Sequence, residues 1–235
     1  MSTKHRIAAT AAVGVAGVGL LAVRAWSVFR SVPRYAQYWR DRADADGDLL
    51  YIALGDSTGQ AVGAARPELG YVSRLAHDLA ARTGRTVRVV NLSVSGARVS
   101  DLLTSQLPAL QALLERTPEP ALVTVSIGAN DVGRIEPDEF RPLVRRFVDA
   151  LPPGSRVADV PAFRDRRRGS SRDLAAVIRE VVGARPDLVV VELHAVTQRL
   201  GLRDYGGDFF HPSARGYDRY YRAFAGERPD DSASW

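Results

Sequence analysis

Leu49-Leu50-Tyr51-Ile52-Ala53-Leu54-Gly55-Asp56-Ser57-Thr58-Gly59 is an unbroken apolar run that ends in a serine between two glycines. Six apolar residues without polar alternation suit a strand buried on both faces, and the glycines permit a sharp turn that exposes a hydroxyl at its end. Four further runs of the same character follow, at 87–92, 122–127, 157–160 and 188–191. Between them apolar residues recur at helical spacing: Leu69, Val72, Leu75 and Leu79; Val99, Leu102, Leu103, Leu107 and Leu110; Phe140, Val144, Phe147 and Val148; Leu174, Val177, Ile178 and Val181. Strand alternating with helix predicts an α/β domain with a mainly five-stranded parallel sheet covered on both sides, its last helix starting after Pro212. In such sheets ligands bind beyond the carboxyl ends of the strands. Ser57 follows the first strand, Gly96 the second and Asn130 the third, so all three fall on that edge.

Two other strings carry chemistry, Gly128-Ala129-Asn130-Asp131 and Asp208-Phe209-Phe210-His211. A serine after a strand can simply cap the next helix. It also matches G-x-S-x-G, the nucleophile elbow of α/β-hydrolases, although that motif normally follows several strands rather than the first. Only four histidines exist. His5 precedes an apolar run, His77 is mid-helix, and His194 lies just past the fifth strand as a rival base. His211 has Asp208 three residues earlier, within reach of orienting its ring and stabilising the imidazolium formed when it takes a serine proton. Asn130 suits a turn for conformational reasons, or aims an amide N–H at a developing oxyanion. Gly96 is a strand-end glycine, or one whose backbone N–H approaches substrate.

The chain resembles the SGNH, or GDSL, hydrolase family. Gly55-Asp56-Ser57 matches its first block, the glycine of Ser95-Gly96-Ala97 its second, Gly128-Ala129-Asn130-Asp131 its third and Asp208-Phe209-Phe210-His211 its last. The resemblance implies a flavodoxin-like three-layer α/β/α domain. It implies Ser57 as nucleophile, His211 as general base and Asp208 as its partner, with an oxyanion hole from the backbone N–H groups of Ser57 and Gly96 and the Asn130 amide. Thr58 stands where the family's name has leucine, a position the family varies.

Composition narrows the class. The formal charge of +5 divides unevenly: residues 1–42 hold seven Lys/Arg and one acid, which leaves 25 basic and 26 acidic residues for the rest. A near-neutral domain lacks the basic face of a nucleic-acid binder. With no cysteine, disulfides, thiolate metal sites and a cysteine nucleophile are excluded. There is no P-loop, Rossmann signature or zinc-ligand spacing, so neither cofactor nor metal is expected.

The N-terminus reads as a membrane segment. Lys4-His5-Arg6 precedes residues 7–23, whose only polar side chain is Thr10. Seventeen residues sit at the lower limit for a spanning helix, and Val23-Arg24-Ala25 makes a poor cleavage site. The division expected is an anchor or signal segment over 1–24, a basic and aromatic juxtamembrane linker over 25–48, the hydrolase domain over 49–228 and a polar tail over 229–235. Trp26, Phe29, Tyr35, Tyr38 and Trp39 interleaved with arginines suit the headgroup region; a helix packing its aromatics on the domain is the alternative. The expected location is membrane-anchored with the domain outside the cytoplasm; a secreted form or a cytoplasmic face are the alternatives.

The basic run Arg164, Arg166, Arg167, Arg168 and Arg172 reads as a solvated loop, with a rim that attracts anionic substrate or lipid headgroups as the alternative. The sequence as a whole reads as a serine hydrolase of carboxylic esters, acting on a small-molecule or lipid-like substrate. A catalytically silent tethered domain, a thioesterase and a glycan O-acetyl esterase stay open beside it. Nothing in the sequence fixes the oligomeric state.

Overall fold

The computed structural model describes residues 3–117, 119–162 and 168–226; the side chains of 3–22, 168 and 169 lie outside that description. Five strands form one parallel sheet: β1 (Leu49–Gly55), β2 (Val87–Asn91), β3 (Leu122–Ser126), β4 (Arg156–Ala158) and β5 (Val189–Val191). Their order is β2-β1-β3-β4-β5. The chain steps outward to β2 and then returns past β1 to β3. The crevice of an open α/β sheet opens where the order reverses, at the carboxyl ends of β1 and β3, so register matters there. Gly55 pairs with Ser126 and Ala53 with Asn91, which brings the ends of three strands level.

Alternation along the central strand divides the core. Leu50, Ile52 and Leu54 face one layer, with Val99 and Leu102 at the start of the β2–β3 crossover, α4 (Leu107–Leu114), α5 (Pro137–Asp149) and α6 (Arg168–Gly183). Tyr51 and Ala53 face the other, with α2 (Tyr71–Thr83), α8 (Ala214–Ala225) and Trp39 of α1 (Thr3–Ala43). Tyr71 stacks on Phe224 with ring centroids 4.7 Å apart. Each such fully buried ring contributes about 1.5–3 kcal/mol of transfer free energy. Two short α-helices also lie among the described residues, α3 (Val99–Asp101) and α7 (Leu193–Gln198).

The segment expected to be a linker over 25–48 is helical as far as Ala43, and only Asp44 to Asp48 connect it to β1. The reason is a stripe at helical spacing: Val28, Ser31, Tyr35 and Trp39 are buried, whereas Trp26 and Phe29 are exposed. The Tyr35 hydroxyl donates to the Ala64 carbonyl at 2.7 Å, and the Trp39 indole N–H to the Gln60 carbonyl at 3.2 Å. The aromatics therefore divide, one set docked on the domain and the other facing away. Among the described residues no helix is long and apolar enough to cross a membrane. The side chains of residues 7–22, on which the expected anchor rests, lie outside them, as does most of the basic run at 164–168.

Candidate active site

Ser57 sits two residues beyond β1, and its loop is tied down on every side. Gly55, at φ +145°, passes so close to Ser126 that a Cβ would stand 2.1 Å from that carbonyl oxygen, so only glycine fits. The Gln106 side chain holds the same residue twice, its carbonyl accepting from the Gly55 N–H and its amide donating to the Gly55 carbonyl, both at 2.8 Å. Asp56 is buried; its carboxylate accepts from the backbone N–H and the hydroxyl of Thr58 at 2.9 and 2.8 Å. Burial pushes the Asp56 carboxyl up, against the lowering effect of the Thr58 donors and the nearby His211. The Ser57 carbonyl accepts from the Val62 N–H at 3.1 Å, which closes the loop on itself.

On the opposite wall, residues 205–212 fold back through an antiparallel bridge between Tyr205 and Pro212. The turn places Phe209 at φ +54°, a left-handed conformation that costs a bulky residue roughly 1–3 kcal/mol and marks functional segments. Its compensation is visible: one Asp208 oxygen accepts from the backbone N–H groups of Phe210 and His211 at 3.1 and 3.0 Å. The other Asp208 oxygen lies 2.6 Å from His211 Nδ1. A carboxylate only accepts, so Nδ1 carries a proton, and in the neutral ring Nε2 is left as an acceptor. Nε2 is 2.9 Å from Ser57 Oγ, across 154 residues of chain. Burial opposes ionisation of Asp208, yet the His211 hydrogen bond, the charge of that ring and the two backbone donors outweigh it and hold the carboxyl below its ordinary range. This relay can accept the Ser57 proton on Nε2 while the ionised carboxylate stabilises the imidazolium.

Asn130 lies in the turn Ala129–Asp131 directly after β3, its amide donating to the Ala97 carbonyl at 2.9 Å. That bond fixes the amide plane and uses one of its two N–H groups. Asp131 accepts from the Val99 N–H at 3.1 Å and so ties this turn to the loop of Gly96. Gly96 itself is at φ +83° with open space where a Cβ would project. Ser57, Asn130 and His211 line one cleft with Pro161, Leu200 and Phe210 among its walls.

The profile of the GDSL-like lipase/acylhydrolase family matches residues 53–219, well over half of the chain. The chain belongs to that family. It is accordingly a hydrolase of ester bonds, on the SGNH fold. Among solved structures it is similar to a lipase from a goat rumen metagenome, 18% identical with a TM-score of 0.60, which covers 76% of this chain and 96% of that one. An acetyl xylan esterase from Geobacillus stearothermophilus is 24% identical with a TM-score of 0.58, covering 76% and 94%. A lipase/acylhydrolase from Enterococcus faecalis is 22% identical with a TM-score of 0.57, covering 77% and 98%. Among curated proteins none matches the sequence.

The structure of this GDSL-family chain brings Ser57, Asp208, His211 and Asn130 around one cleft, with Gly96 in the adjoining loop. It keeps His194 apart. The His194 ring nitrogen Nδ1 is 2.9 Å from the Val160 carbonyl, and its backbone N–H donates to Asp159 at 2.6 Å. Asp159 also pairs with Arg179. His77 is exposed on α2. Sequence reasoning missed Gln106 and Tyr217, whose hydroxyl donates to the Val62 carbonyl at 2.6 Å, and gave the docking of Tyr35 and Trp39 only as the alternative to a headgroup belt. No sequence signal pointed to Gln106, since Leu103 and Leu107 keep ordinary helical spacing across the π-turn at Leu102–Gln106.

Proposed function

We propose that this chain hydrolyses carboxylic esters through an acyl-enzyme on Ser57. His211 removes the Ser57 proton as the hydroxyl attacks the carbonyl carbon, and Asp208 steadies the imidazolium. His211 then returns that proton to the departing alkoxide. A water activated by the same ring releases the acid and regenerates the hydroxyl. The backbone N–H groups of Ser57 and Gly96 and the remaining Asn130 amide hydrogen carry the oxyanion, where fixed donors have most effect because charge develops only in the transition state. The observation that carries the reading is the continuous relay Ser57 Oγ, His211 Nε2, His211 Nδ1 and Asp208 at 2.9 and 2.6 Å. It counts against a silent tethered domain, which has no need to hold an ionised carboxylate against burial.

Residues 7–23 serve as an uncleaved membrane anchor in this reading, with the domain outside the cytoplasm. The length of the apolar run and the poor cleavage site support the uncleaved anchor, and the outward placement follows the ordinary signal-anchor arrangement. The test of the chemistry is a p-nitrophenyl ester series from acetate upward with wild type and Ser57→Ala. Hydrolysis lost in the variant is expected; equal rates would remove Ser57 from the reaction.

A further inference from the structure

The N-terminal helix touches the loop that carries the acid and base. A Cβ on Gly207 would stand 2.9 Å from both the Cβ and the carbonyl oxygen of Arg24. Arg24 is the first residue after the apolar run 7–23, and Gly207 the last before Asp208. Whatever holds the apolar run therefore holds the mouth of the site beside it. Next to this contact a groove of about 600 Å³ separates α1 from the loops, and its lining includes Arg24, Arg34 and Arg203 but no acidic residue. Tyr205 is the wall shared between this groove and the Ser57 cleft. The rim is apolar and open to solvent: Leu202 is 68% exposed and Phe209 53%.

We infer that this face rests on an anionic bilayer, with the arginines against headgroup phosphates and Leu202 and Phe209 in the interfacial layer. Three observations select that occupant. The groove's charge is of one sign, which suits phosphate oxygens; its apolar rim suits the boundary where aromatic and basic residues sit together; and its lining begins at Arg24, where the apolar run 7–23 ends. The Ser57 cleft then opens onto the lipid surface, and the ester hydrolysed is one carried by a membrane amphiphile. The inference rests on the Ser57 mechanism for its chemistry and on the anchor for its orientation.

With no native cysteine, a single engineered one reports its own depth. The full chain is reconstituted into phosphatidylcholine vesicles with and without phosphatidylglycerol, carrying an environment-sensitive dye at Leu202→Cys, at Phe209→Cys or, as a reference at the opposite sheet edge, at Arg116→Cys. The dyes at 202 and 209 are expected to shift to the blue and to be quenched by headgroup-proximal spin-labelled lipid, while the dye at 116 stays aqueous. Replacing Arg24, Arg34 and Arg203 together with glutamine should weaken contact with the anionic surface on the order of 100-fold, from about fivefold per arginine, and bring quenching down to the level in neutral vesicles. Dyes at 202 and 209 as aqueous as that at 116 would overturn the inference, and so would quenching indifferent to the arginines or to lipid charge. Fluorophosphonate labelling of Ser57 in the same vesicles separates the two claims. Labelling retained with aqueous dyes sinks the docking alone; labelling lost with lipid-embedded dyes sinks the hydrolytic reading and, with it, the membrane-ester substrate.

Discussion

Gly63→Ala should slow catalysis without replacing a reacting group. Gly63 sits at φ +98°, where a Cβ would stand 2.6 Å from both His211 Cβ and the Pro212 carbonyl oxygen. Carbon atoms settle at about 3.5 Å, so one side must retreat by roughly 0.9 Å. The loop of Gly63 resists, because Tyr217 and Tyr35 hold the Val62 and Ala64 carbonyls at 2.6 and 2.7 Å. If even half of the movement falls on His211, its 2.9 Å contact with Ser57 Oγ opens beyond the range of a good hydrogen bond, about 3.2 Å. A misplacement of about 1 Å costs on the order of 100-fold in rate, so kcat should fall roughly 10- to 100-fold with KM changed less. Gly84→Ala is the control. Gly84 is also at positive φ, +66°, but nothing lies within 4 Å of its Cβ position. Both variants carry a backbone cost of about 1–2 kcal/mol, a few degrees in Tm. Steady-state kinetics on a soluble p-nitrophenyl ester, with thermal melts, separate the two effects. A Gly63→Ala enzyme as fast as Gly84→Ala would refute the claim that this loop positions the base.

Three further outcomes follow from the same geometry. Asn130→Ala should lower kcat about 100- to 1,000-fold, or ~3–4 kcal/mol, with little change in KM; an unfolded variant would instead assign Asn130 to holding the turn after β3. His211→Ala should lower kcat by roughly three orders of magnitude or more, whereas His194→Ala should lose about 1–3 kcal/mol of stability and little rate; the reverse pattern would name the wrong base. Burial raises the carboxyls of Asp56, Asp131 and Asp159, so in each case the folded state binds protons more tightly than the unfolded one. For these three, stability should rise as pH falls from neutral through their raised folded values and level off near the ordinary aspartate value of about 3.9. Melts of wild type and Asp159→Asn between pH 4.5 and 8 check this, and a wild-type Tm that climbs with pH would contradict it.

The fold and the residues of the candidate site were legible in the sequence for a local reason. β1 and Ser57 are contiguous, as are β3 with Asn130 and Asp208 with His211, so each string announces both its element and its chemistry. The supports were not. Tyr35 and Trp39 belong to an aromatic and arginine-rich segment whose composition reads first as a headgroup belt, with a docked helix as the alternative. Only the spacing of Val28, Ser31, Tyr35 and Trp39 separates the two, and it was masked by Trp26 and Phe29 on the other face. Gln106 escaped because its side chain faces Gly55 only after a π-turn shifts the helix register. His211 stood out from His194 by the aspartate three residues before it, and the 2.9 Å approach of its ring to Ser57 Oγ is the spatial counterpart of that spacing.

The central claim is that Ser57 is a nucleophile activated by His211, and a fluorophosphonate probe tests it on the reacting atom. Mass mapping of the labelled full-length protein should find one adduct, on Ser57. Ser57→Ala should take up none, and His211→Ala should label more slowly by orders of magnitude, since the hydroxyl loses its proton acceptor. An adduct on another residue, or labelling of His211→Ala at the wild-type rate, would contradict the account.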